Sequence, residues 1–495
     1  MYNNNLYNKL TLTALIVVTT LISSNLLAEP TILEVKTKDI VVDGKKAQVY
    51  AIEQPDGTWG YYGYKNSMFD VIVKNTLDES TVVHWHGLTL PNNQDGVELT
   101  QQPIAPHSEY HYKFKLTQTG TYWMHSHFGL QEQKQLEAPL IIYDVKPTAP
   151  NQDIVLMLQD FSFKTPESIM QNILLNAQNT APMKMNDNSA MSHNTKAPAD
   201  LNDVKYDAYL INYKDLSNPQ INLVKANRTV RLRFINGSSM SNFWINLGHL
   251  KGKLVSVDGN EVKPIISNKF QIGMGNRLDI LVHIPQKLGY FSILAQVEGT
   301  KSQTGVILVN SENKKTSIPQ ISSQASTTAP ALNYAQELQL SPLNNTSGIN
   351  GGMGANTLEN TNMQSHNSKS SYTKNTNESI QLVLDGNMKD YIWTINNQQW
   401  PNSTPIYVNL GSNITALITN NSMMAHPMHL HGYRFKIIAI NGKKINGALQ
   451  DTILVEPHST VEVEFYADNP GKWFFHCHSL YHMYRGMMTY IQTKP

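Results

Sequence analysis

FDVIVKNTLDESTVVHWH, residues 69–86, alternates apolar and polar positions, breaks at a polar loop and resumes as a second short strand. The same eighteen-residue pattern returns as VRLRFINGSSMSNFWINL, residues 230–247, and as ITALITNNSMMAHPMHLH, residues 414–431. A second motif follows each of them, a glycine turn leading into a strand: GTYWMHSH at 120–127, GYFSILAQ at 289–296 and GKWFFHCH at 471–478. Repetition of one two-part unit, with alternating strands and almost no helical periodicity, predicts an all-β chain of three tandem Greek-key β-sandwich domains. Their expected bounds are 30–147, 150–312 and 376–495.

Length agrees with this count, since 495 residues at roughly 100–200 per domain give about three. Between the second and third units, residues 313–375 are rich in Ser, Asn, Thr, Gly and Gln, a composition too polar to bury a core, and read as a flexible linker or insertion. With 39 basic and 38 acidic residues the chain has no global field to recruit nucleic acid. Its start carries Lys9, an apolar run from Leu10 to Ile22 and small or polar residues up to Ala28. That is the pattern of an export signal over 1–28. The apolar run is shorter than the roughly 20 residues that cross a bilayer, and no later stretch is long enough, so no transmembrane segment is expected after signal removal. A single cysteine, Cys477, excludes an internal disulfide.

Aligned on the repeats, histidines gather in the first and last units only. His84 and His86 fall opposite His429 and His431, and the middle unit has Ile245 and Leu247 there. His125 and His127 fall opposite His476 and His478, with Cys477 between the latter two and His482 and Met487 just beyond; His426 completes the set. These ten histidines are more than half of the seventeen present. Alternation along a strand sends both imidazoles of a His-x-His pair to one face, so two such strands from separate units can enclose metal between them. One such pair is commonly a surface or core feature; tandem pairs aligned by a repeat are not. A cysteine, two imidazoles and a thioether match the trigonal blue-copper donor set with a weak axial methionine, whereas zinc would be satisfied by four ligands and would leave most of the imidazoles idle.

These four clusters resemble those of the multicopper oxidase family, in order and over nearly the whole chain. The resemblance implies cupredoxin-like domains and four copper ions. It assigns His426, Cys477, His482 and Met487 to a type 1 copper and His84 and His429 to a type 2 copper. A type 3 pair falls to His86, His125 and His478 on one ion and to His127, His431 and His476 on the other. It also implies an enzyme that takes single electrons from a donor and reduces dioxygen to water. Cys477 would link the centres through its neighbours His476 and His478, and an acidic residue, here Asp95 of the NNQDG turn, would serve proton delivery. An aspartate before glycine is equally at home as a simple turn residue. At Met483 some relatives carry a second acidic residue.

GTYWMHSHFGLQEQ (120–133), LDGNMKDYIWTINN (384–397) and HCHSLYHMYRGMM (476–488) resemble, more narrowly, the periplasmic copper-resistance oxidases of the CopA type. That implies Cu(I) as donor and the periplasm as compartment. Met183, Met185, Met191 and His193, and again Met353, Met363 and His366, lie in polar stretches as either Cu(I)-selective thioether sites or chance enrichment. Met423, Met424, Met428, Met483 and Met488 flank the type 1 ligands either as Cu(I) guides or as an apolar wall. Other readings are a laccase-like oxidase of small phenolic reductants, a ferroxidase, disfavoured by few carboxylates near His482, and a non-catalytic copper carrier.

Overall fold

The computed structural model describes residues 29–145, 152–179, 201–287, 289–310, 320–343 and 377–494. The expected export segment and Met183, Met185, Met191, His193, Met353, Met363 and His366 lie outside the described residues.

Among the described residues, six sheets form three two-sheet sandwiches in chain order. Strands such as Asn413–Asn420 alternate buried and half-buried side chains, as a sheet with one face on the core requires. Each sandwich opens with a strand lying parallel to the one that begins the repeated motif. These pairs are Thr31–Val42 beside Met68–Asn75, Asp153–Phe161 beside Thr229–Asn236, and Asn377–Asn387 beside Asn413–Asn420. Each also pairs the two ends of the motif antiparallel: Val83–His86 with Gly120–Ser126, Phe243–Asn246 with Gly289–Val297, and His426–Leu430 with Lys472–Cys477. In the outer copies His84 stands opposite His125 and His429 opposite His476, whereas Ile245 stands opposite Ala295, an offset of one residue in the middle copy. One apolar cluster runs through all three sandwiches and includes Trp85, Phe234 and Trp473.

Two features depart from the composition and periodicity. Pro166–Asn179 is a helix. Its Ile169, Met170 and Ile173 are buried in the main core, each contributing about 1.5–3 kcal/mol. Residues 320–343, inside the stretch expected to be a flexible linker, are laid along the second sandwich by bridges Ser302 to Gln324, Glu298 to Ala329 and Val262 to Pro342. Leu332 and Leu340 are buried, and the Tyr334 hydroxyl meets Ser459 Oγ at 2.7 Å and accepts from the Glu456 amide at 2.9 Å in the third sandwich. An average over polar composition hides such anchors, because a few apolar side chains and amides matched to a sheet edge suffice to hold a strap.

Candidate metal centre

Val83–His86 and Gly120–Ser126 of the first sandwich face His426–Leu430 and Lys472–Cys477 of the third, and every residue of Val83–His86 and His426–Leu430 is buried. Across this seam the imidazoles of His84 and His431 stack with centroids 3.8 Å apart, and those of His86 and His429 stack at 3.7 Å. Each pair joins one domain to the other. Donor atoms converge in overlapping groups, each within 4.8 Å: His84, His86 and His429; His86, His125 and His478; His127, His431 and His476; and His426, Cys477 and His482. His431 Nε2 lies 3.0 Å and His127 Nε2 3.4 Å from His476 Nε2. In the last group His426 Nδ1 lies 3.5 Å from Cys477 Sγ and 3.2 Å from His482 Nδ1. Met487 is fully buried beside this group, and its carbonyl accepts from the Cys477 amide at 3.0 Å.

For several of the rings, hydrogen bonds on the far side fix which nitrogen points inward. His84 Nδ1 donates to the Asp95 carbonyl at 2.9 Å, His125 Nδ1 to the Ser126 carbonyl at 3.1 Å, His429 Nδ1 to the Asp451 carbonyl at 2.8 Å and His476 Nδ1 to the Cys477 carbonyl at 2.9 Å. The inward atoms His84 Nε2, His86 Nδ1, His125 Nε2 and His429 Nε2 are buried and have no partner among the described residues. Burial, reinforced for most of them by neighbouring imidazoles, pushes the pKa values of His86, His125, His127, His426, His429, His431 and His478 well down, and that of His476 to about 4. The rings are therefore neutral, the form that ligates metals. Burial pushes the Cys477 thiol up to about 12, so the thiolate forms when a metal cation takes the proton's place on sulfur. Convergent buried lone pairs with no donor to receive fit bound metal, and the imidazole, thiolate and thioether set suits copper.

Asp95 is more than a turn residue. Its Oδ2 accepts from His431 Nδ1 at 3.0 Å and its Oδ1 lies 3.3 Å from His84 Nδ1, joining a histidine of the first sandwich to one of the third. Gly96, at φ +76°, lets this turn close, since a Cβ there would sit 1.8 Å from the Val83 carbonyl.

Several partners escaped the sequence reading. Glu132, fully buried, holds His125 Nδ1 at 2.8 Å and lies 3.8 Å from His478 Nδ1. Burial and the nearby Glu137 and Asp160 hold its pKa well above the usual carboxylate range. Asp451 faces His86, and Asp203 accepts from His482 Nε2 at 3.0 Å, so a carboxylate does adjoin His482, from a segment distant in sequence. Ser422 Oγ meets the outer edge of His426 at 2.7 Å. Only Glu132, inside the quoted GLQEQ phrase, had a local cue. Of the flanking methionines, Met424, Met428, Met483 and Met488 are buried and form an apolar wall; Met423 is 44% exposed, with its sulfur 3.1 Å from His458 Nε2.

Profiles described as multicopper oxidase match residues 34–147, 152–313 and 372–495. The chain is 30% identical over 429 residues to multicopper oxidase MmcO of Mycobacterium tuberculosis, covering 85% of this chain and 78% of that one. It is 27% identical over 508 residues to a copper resistance protein A homolog of Pseudomonas syringae pv. tomato, covering 85% of each. Its fold is similar to the crystal structure of a multi-copper oxidase from Pseudomonas thermotolerans, with TM-score 0.66 and 20% identity over 94% of this chain and 99% of that one. Together with the buried histidine and cysteine constellation between its outer sandwiches, these matches establish that the chain belongs to the multicopper oxidase family and is an oxidoreductase.

Proposed function

We propose that the chain oxidises Cu(I) in the periplasm and reduces dioxygen to water, with four copper ions held by the residues described above. His426, Cys477, His482 and Met487 would hold the type 1 ion, and His84 and His429 the type 2 ion. His86, His125 and His478, and His127, His431 and His476, would hold the type 3 pair. Copper bound there supplies one-electron redox chemistry and a site for dioxygen. The protein contributes buried imidazoles, several with their outer nitrogens already hydrogen-bonded, and a buried seam that excludes bulk water. Cys477 shares its backbone with His476 and His478, so few covalent bonds separate the two groups of ligands. Asp95, in contact with a histidine of the first sandwich and one of the third, is the acidic group we assign to proton delivery.

The observation that favours Cu(I) over an organic donor is the exposed Met423 sulfur beside His458 Nε2. It is a soft donor pair suited to Cu(I), one residue from Ser422, which covers the outer edge of His426. Likeness to copper resistance protein A supports the same donor, and the amino-terminal export pattern supports the periplasm. A laccase-like oxidation of phenols is the second reading, supported by likeness to a Botryotinia fuckeliana laccase, 27% identical over 472 residues and covering 87% of this chain and 99% of that one.

Oxygen uptake by the copper-loaded protein, with anaerobic Cu(I) and with a phenol, tests this, Cys477→Ser serving as control. Faster uptake with Cu(I), lost in the control, is expected. Preference for the phenol would move the donor to the second reading, and no uptake with either at full copper loading would reject turnover in favour of a copper carrier.

A further inference from the structure

Among the described residues the middle sandwich brings no side chain into the histidine and cysteine groups, yet one of its loops forms a wall of the centre. A Cβ on Gly275, at φ +80°, would lie 3.0 Å from His478 Cδ2 and 3.2 Å from His86 Cε1, so the loop backbone is packed against both rings. Two residues on, Arg277 is fully buried and its guanidinium reaches all three sandwiches. Nε donates to the Thr121 carbonyl of the first at 3.1 Å, and Nη1 to the Gly275 carbonyl of its own at 3.0 Å. In the third, Nη1 and Nη2 grip the two oxygens of Asp451 at 2.7 and 2.5 Å.

We propose that Arg277 is a positioning residue that sets the ring and tautomer of His86 through Asp451. Asp451, clamped by the guanidinium, can only accept, so the hydrogen of His86 sits on Nε2, 3.0 Å from Asp451 Oδ1. Nδ1 is thereby left as the lone pair facing His125 and His478, whereas His84, His125 and His429 present Nε2. Thr452 Oγ1 donates to the same Asp451 oxygen at 3.0 Å and lies 3.2 Å from His86 Nε2, closing a small ring around the contact. A lysine keeps the charge but cannot reproduce the planar two-point grip. Residues that orient a ligating histidine from behind typically govern metal affinity by 10- to 100-fold.

The inference rests on the reading of His86 as a copper ligand, and the test separates the two. Wild type, Arg277→Lys and Arg277→Gln are loaded with copper, dialysed against a graded chelator series, and assayed for copper per chain and for the blue thiolate-to-copper absorption that reports Cys477. The expected result is unchanged blue absorption with copper at the remaining sites lost at chelator concentrations about 10- to 100-fold lower than in wild type. Full retention in Arg277→Gln would overturn the inference, as would equal loss of the blue absorption and the other coppers in a folded Arg277→Lys protein, since that marks a scaffold role only. If Arg277→Gln does not fold, Arg277→Lys decides alone. Wild type that never binds copper beyond the blue site would instead reject the underlying assignment.

Discussion

At the scale of single residues, the outer hydrogen bonds of the histidines matter as much as the histidines. Asp95 accepts from His431 and flanks His84, so Asp95→Ala should leave the blue absorption of the Cys477 site intact while lowering turnover about 10- to 100-fold; oxygen uptake beside the visible spectrum reads both. At the outer edge, Met423→Leu and His458→Ala should each raise the KM for Cu(I) several-fold with little change for a phenol, and equal shifts on both donors would remove the case for a soft docking pair. Asp95 entered the sequence reading through the family resemblance, as an acidic residue in the turn after His86. Asp203, Asp451 and Arg277 were not legible there, because a polar residue reaching a histidine hundreds of positions away leaves no periodic mark.

Among the elements, the strap 320–343 joins the second sandwich to the third and can be tested by itself. Tyr334→Phe removes the hydroxyl that meets Ser459 Oγ and accepts from the Glu456 amide, which should cost about 1–3 kcal/mol and lower the melting midpoint by a few degrees. Glu337 of the same strap is hydrogen-bonded by Gln450 and borders a cavity of about 50 Å³ beneath it, also lined by Asn276 and Tyr334. Burial raises its pKa from 4.5 to about 8. Between these values the folded chain keeps a proton that the unfolded chain has released. The stabilisation is therefore complete below about pH 4.5 and lost as pH rises through about 8. Glu337→Gln should flatten this dependence, so that the loss of stability wild type shows between about pH 6 and 9 is absent from the variant, as thermal melts across that range would show. Composition concealed this element because the residues that pin it are few.

For the molecule as a whole, two sandwiches that carry the histidine groups bracket a third that adds none to them among the described residues, and the centre lies where all three meet. Near-neutral net charge gives the surface no long-range pull on a charged donor, so donor choice must be local. Exchanging Met183, Met185, Met191, Met353 and Met363 together for Ser should lower Cu(I) oxidation more than phenol oxidation in paired oxygen-uptake assays. Equal activity on both would assign those methionines no part in donor choice.

The sequence by itself determined the three-fold repeat, the sandwich class and the ten histidines with Cys477. Strand alternation and repeat alignment are local, periodic signals that one chain carries in full. Only the tertiary structure decided which histidines stack across the seam, as His84 does on His431 and His86 on His429. It alone also brought Glu132, Asp203, Asp451 and Arg277 behind the rings, and tied down part of a stretch that composition reads as a linker. Apart from Glu132 beside His125, those contacts join distant segments of the chain, where the partner of a residue is set by how sheets pack and not by its neighbours in sequence.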